Sequence, residues 1–296
     1  MKRFFSTAIL TISILFNMEA KAQGFRKIET GTLTLDVFNA SENSFGVASV
    51  IVSGKTNAIL IDAQFTLADA EAVAKKLRDS GKKLTAIYIS HGDPDFYFGL
   101  EVFKKYFPEV IAYASPATVE HIKATAQKKL EVWGGRLGKA ITSNIVLPQV
   151  LQGNGFDLEG EKLEVIGSGE FSSTTFVWIP SIKAVAGGIN VFGNTFNLWM
   201  ADAQTPEARK NWVSVLDKIT SLHPEIVIPA HAKEDAALNL ASVKHTKDYV
   251  LFYEEALKTN KTSEALIKAV KSKYPNLTFD IALQIGAKVN TGEMKW

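Results

Sequence analysis

Alternating or unbroken apolar residues, rich in Val, Ile and Thr, form three short runs early in the chain, TLTLDVF, FGVASVIVS and NAILIDA. A period of two with β-branched side chains predicts strands, here an opening antiparallel meander. The period then changes. Leu67, Ala70, Val73, Ala74 and Leu77 share one helical face, Thr66 is placed to cap it, and Gly81 ends it. A strand over 84–90, a helix near 98–106, a strand over 110–113 and a helix opened by Ser115-Pro116 follow. The order then repeats in outline: strands at KLEVIG, TTFVWIP and KAVAGG, a helix opened by Thr205-Pro206-Glu207, and a last strand, EIVIPA, that delivers His231. The stretch LQGNGFDLEG is the expected joint between the halves, and the segment from about 235 to 296 reads as mainly helical. Two halves of this kind place two sheets face to face with helices outside, a four-layered α/β (α+β) sandwich.

The first 22 residues stand apart from this pattern. Lys2 and Arg3, the apolar run FFSTAILTISILF, and Ala20-Lys21-Ala22 before Gln23 read as a secretory leader. The expectation is an exported protein, periplasmic or secreted, with one domain over 23–296 and no membrane attachment after cleavage. The chain has no cysteine, so disulfides and thiolate ligands are excluded and any metal must use His and carboxylate donors. A formal charge of +2, with acids and bases interspersed, gives no basic face for nucleic acid.

The stretch ISHGDPDFYFG carries the chemistry. His91, Asp93 and Asp95 alternate just after a buried strand, as in a metal-binding loop, and His231 follows another buried strand, so the two histidines are expected to face one pocket. Asp93-Pro94 is equally the start of a helix, with Asp93 as cap and Pro94 at the first helical position. Asp62, ending a strand, reads as a buried acceptor for nearby N–H groups, and Glu170 in GSGEFSS is either a ligand or a solvated loop residue. His121 and His245 are expected to face solvent, Phe65 and Tyr97 to line the pocket mouth, and Asn190, Asn194 and Asn197 to offer it polar contacts.

In these residues the chain resembles the metallo-β-lactamase superfamily, whose fold is an αβ/βα sandwich with a metal site at the edge between its sheets. The matching positions are Ile61-Asp62, then His91, Asp93, Asp95 and Phe96 at the His-x-His-x-Asp-His motif, Gly169-Glu170 at a Gly-His pair, Gly187-Gly188-Ile189 at a Gly-Asp pair, and Pro229-Ala230-His231 at Pro-Gly-His. The resemblance implies one metal held by His91, Asp93 and Glu170, an oxygen-rich set for Zn, Mn or Fe. A second ion would keep only Asp95 and His231, because Phe96 has no donor and the Gly-Asp pair has no carboxylate here.

The expected activity is hydrolysis of an ester, lactone or lactam in a small molecule. The metal polarises the bond, Asp95 orients or deprotonates water, and His231 completes the shell or stabilises developing charge. The alternative is a metal-free relative, with the site degenerate, that binds a small molecule without turning it over.

Overall fold

The computed structural model describes residues 24–167 and 174–296, so the leader and Glu170 lie outside the described residues. The meander is built as β1 (Phe25–Glu29), β2 (Thr34–Asn39), β3 (Ala48–Ser53) and β4 (Asn57–Ile61), each antiparallel to the one before. After helix α1 (Leu67–Asp79) the sheet continues in parallel with β5 (Lys83–Ile89). Short helices α2 (Pro94–Tyr97) and α3 (Leu100–Tyr106) precede β6 (Ala112–Ala114), and α4 (Pro116–Leu137) precedes β7 (Gln149–Val150). These strands form one seven-stranded sheet in sequence order.

The chain crosses to the second sheet inside LQGNGFDLEG. There β8 (Gly155–Leu158), β9 (Glu161–Ile166), β10 (Phe176–Ile179) and β11 (Ala184–Ala186) run antiparallel. After α5 (Pro206–Ser221), β12 (Ile226–Val227) joins β11 in parallel to complete five strands. Helices α6 (Leu240–Thr259), α7 (Ser263–Lys273) and α8 (Asp280–Asn290) close the chain.

Alternation along the strands sorts the layers. Leu35, Val37, Val50, Val52, Ile59 and Ile61 meet Leu163, Val165, Val177 and Ile179 between the sheets. On the far side of the first sheet, Leu60, Ile87 and Ile89 pack on Val73, Leu77, Phe103 and Ile122 of the helices. On the far side of the second, Phe176, Trp178 and Val185 pack on Val215, Leu216 and Ile219 of α5. Side chains one apart in β10 thus point to opposite layers, as the pleat requires. The result is the expected αβ/βα sandwich. The carboxyl helices bury Tyr249, Tyr253 and Leu266 against Phe192, Phe196 and Leu198 of an irregular segment.

Two elements differ from the sequence reading. β1 is an edge strand whose residues are half-buried or exposed, so its apolar signal is weak. EIVIPA gives only a two-residue strand, because Pro229 lacks the N–H that a ladder needs. His231 is held instead by single bridges to Val47 and Phe192.

Candidate functional site

The site lies at one edge of the sandwich, where β5 hands the chain to α2. Asp62, at the end of β4, adopts φ +62° and accepts from Ser90 N at 2.8 Å and Ser90 Oγ at 2.7 Å. Ser90 Oγ in turn accepts from Gly188 N at 2.6 Å, and Thr175 Oγ1 donates to the Ser90 carbonyl at 2.8 Å. One buried serine therefore ties both sheets together immediately before His91. Gly188, at φ +79°, has no room for a side chain, since a Cβ would lie 2.1 Å from the Thr175 carbonyl oxygen. That close approach explains why no carboxylate stands there.

His91, Asp93, Asp95 and His231 all line one cleft of about 690 Å³. Within it they form separate pairs. His91 Nε2 meets Asp93 Oδ2 at 3.2 Å, while its Nδ1 is buried without a hydrogen-bond partner. His231 Nδ1 must carry the proton, because it donates to the Phe45 carbonyl at 3.0 Å. Its bare Nε2 faces Asp95 Oδ2 at 3.5 Å.

The phenyl ring of Phe96, fully buried, stands between the imidazoles, 5.2 Å from His91 and 5.6 Å from His231 by ring centroids. Asp93 does start a helix, with Pro94 at its first position, but its carboxylate makes no cap bond. It turns to His91 and to the ammonium of Lys129, whose Nζ lies 2.5 Å from Oδ1.

Electrostatics follow from burial and these partners. Burial, then the charge of Asp93, pushes the Asp95 carboxyl up to about 7, and burial pushes Asp62 up to about 7. Burial pulls His231 down to about 4, so it is neutral at pH 7. Burial opposes charge on His91 and Asp93 too, yet their mutual attraction carries His91 above its ordinary value. With Lys129, it holds Asp93 far below its own. Asp202, also in the cleft, rises to about 6 through burial and then Asp93, and accepts from Trp296 Nε1 at 2.5 Å.

Phe65 lines the cleft as expected, joined by Phe45, Trp133, Trp199 and Phe279. Tyr97 does not line it and is buried, with its hydroxyl unpaired. The asparagines also serve elsewhere. Asn197 holds the Thr278 carbonyl, Asn194 accepts from Ala237 N, and Asn190 is buried. His121 is exposed but turns into the cleft, its Nε2 3.0 Å from Lys129 Nζ. His245 is half-buried and its Nε2 donates to the Phe196 carbonyl at 2.9 Å.

Sequence reasoning missed Lys129 and Asp202. Lys129 is one of several lysines on an amphipathic helix, and Asp202 stands alone in an apolar stretch, so neither carries a local signal.

Among the described residues, no group of three or more His, Asp or Glu side chains is arranged to hold a metal ion. The donors pair off, a phenyl ring separates the histidines, and an ammonium engages Asp93. So placed, the described donors do not fit a resident divalent ion, which needs several of them converging on one point.

A family model described as the metallo-beta-lactamase superfamily matches residues 43–231. Among solved structures, metallo-beta-lactamase IND-7 aligns with a TM-score of 0.56 at 16% identity, covering 78% of this chain and 100% of that one. DIM-1 metallo-beta-lactamase aligns at 0.55 and 20% identity, covering 77% and 97%. A metallo-beta-lactamase from Hirschia baltica aligns at 0.54 and 15%, covering 77% and 98%. These identities show a shared fold. No curated protein matches the chain.

Proposed function

Because the chain belongs to the metallo-beta-lactamase superfamily, we propose that its cleft takes a small molecule and hydrolyses an ester, lactone or lactam bond in it, with Asp95 as general base. The observation that carries this reading is the Asp95 carboxyl facing the bare Nε2 of His231 in a cleft walled by aromatic rings. A carboxyl raised to about 7 matches neutral pH, where a base is both ionised and strong enough to be useful.

In this scheme ionised Asp95 takes a proton from water as the oxygen adds to the acyl carbon. The protonated carboxyl then returns that proton to the departing alkoxide or amine, giving a carboxylic acid and regenerating the base. Neutral His231, held by Phe45, positions Asp95 by accepting from its protonated form. Each step uses the chain's own side chains.

The walls suggest the shape of the substrate. Phe45, Phe65, Trp133, Trp199 and Phe279 offer apolar faces, and Lys128, Arg136 and Lys295 add positive charge, with Arg136 5.1 Å over the Trp133 ring. A molecule with an apolar or aromatic body and an anionic group suits that lining. The sequence-level leader supports a site of action outside the cytoplasm.

The experiment is a panel of chromogenic esters, lactones and lactams with the mature chain and Asp95→Asn. Turnover by the wild type, reduced roughly 10²–10⁴-fold in the variant, is expected. A second reading is binding without turnover, favoured by the Lys129–Asp93 pair and the Phe96 ring. It predicts saturable binding of such molecules and no turnover on any of them.

A further inference from the structure

We infer that the ammonium of Lys129 occupies a divalent-cation position, and that shortening this side chain uncovers a metal site built from Asp93, His121 and the Gly92 carbonyl. Lysine has three N–H donors, and the structure gives Nζ three acceptors: Asp93 Oδ1 at 2.5 Å, His121 Nε2 at 3.0 Å and the Gly92 carbonyl oxygen at 3.2 Å. A carboxylate oxygen, an imidazole nitrogen and a carbonyl oxygen are also the donor types that a first-row divalent ion accepts. They would close on an ion by about 0.4 Å for the carboxylate and about 1 Å for the imidazole and the carbonyl, to the roughly 2.0–2.2 Å usual for zinc with N and O donors.

The surroundings are built for this arrangement. His121 and Lys129 lie eight residues apart on α4, so they share one face of the helix, and both line the cleft. Gly92 brings the loop against that face. A Cβ on it would lie 2.6 Å from His121 Cδ2, so a larger residue there would push the imidazole aside. The other oxygen of Asp93 is steadied by His91 Nε2 at 3.2 Å, as a ligating carboxylate commonly is by a neighbouring hydrogen-bond donor.

This site shares Asp93 with the donor set that the family resemblance implies, but uses His121 and the Gly92 carbonyl where that set has His91 and Glu170. It requires no turnover, so an inactive wild type would leave it standing.

The test uses the mature chain, stripped with chelator and dialysed against Zn²⁺, with metal content read by mass spectrometry and Co²⁺ absorption as a probe of coordination. Lys129→Ala is expected to retain roughly one ion per chain and bind it at least tenfold more tightly than the wild type. Adding His121→Ala should abolish the gain, and Lys129→Arg, which keeps the cation, should behave like the wild type. A folded Lys129→Ala that gains no affinity overturns the inference. So does a wild type that binds Zn²⁺ as tightly as the variant. Should Lys129→Ala fail to fold, Lys129→Met, which keeps the apolar stem and removes the charge, is judged by the same gain or absence of gain in Zn²⁺ affinity.

Discussion

Truncating Ser90 to alanine should cost far more stability than one hydroxyl suggests. Ser90 is fully buried, and its Oγ donates to Asp62 Oδ2 at 2.7 Å while accepting from Gly188 N at 2.6 Å. Ser90→Ala leaves a buried carboxylate oxygen and a buried N–H without these bonds. Each orphaned group costs about 1–3 kcal/mol, so the sum is roughly 2–6 and centres near 4 kcal/mol. For a chain of this size that corresponds to a midpoint lowered by roughly 8 °C or more. The Ser90 bonds favour the charged form of Asp62 against the burial that raises it to about 7. The deficit should therefore be larger at pH 8, where the carboxylate is ionised, than at pH 6. Equilibrium denaturation of the mature chain at both pH values measures this, with exposed Ser214→Ala as a control expected to stay within about 0.5 kcal/mol. A loss below about 1 kcal/mol, or one independent of pH, would refute the role of Ser90 as the clip between the sheets.

Three further outcomes are expected. If Asp95 is the base, kcat/KM should rise with pH through about 7 as it ionises, and the rise should vanish in Asp95→Asn; a profile flat across that range would argue against it. Asp62 and Asp95 both have folded values raised to about 7 from 3.8, so the folded state holds their protons more tightly. Their contribution is present below about 4 and is lost as pH rises to about 7, and denaturation at pH 5 and 8 should show the chain less stable at the higher value. Finally, mass spectrometry of exported material should find the chain starting at Gln23, whereas an intact Met1 there would count against the leader.

The sandwich is readable in the sequence because burial writes a period of two into strands such as FGVASVIVS and a helical stripe into Leu67 to Leu77. β1 leaves little trace, since an edge strand with half-buried residues needs no apolar run. The site is only partly readable. His91 and His231 stand out because each follows a buried strand, and Asp62 because it closes one. Lys129 and Asp202 do not, because what distinguishes them is the tertiary neighbour: the carboxylate of Asp93 for one, the Trp296 indole for the other. Asp93 shows the same limit from the other side. Its position matches a helix cap, yet its charge is spent on His91 and Lys129, a choice that only the packing of α4 beside the loop reveals.

Hydrolysis by side chains of this cleft with Asp95 as base is tested by turnover of one panel substrate by wild type and Asp95→Asn, each with and without chelator. Wild-type turnover should be unchanged by chelator and lost in Asp95→Asn. Turnover abolished by chelator and restored by Zn²⁺, or retained in Asp95→Asn, would contradict it.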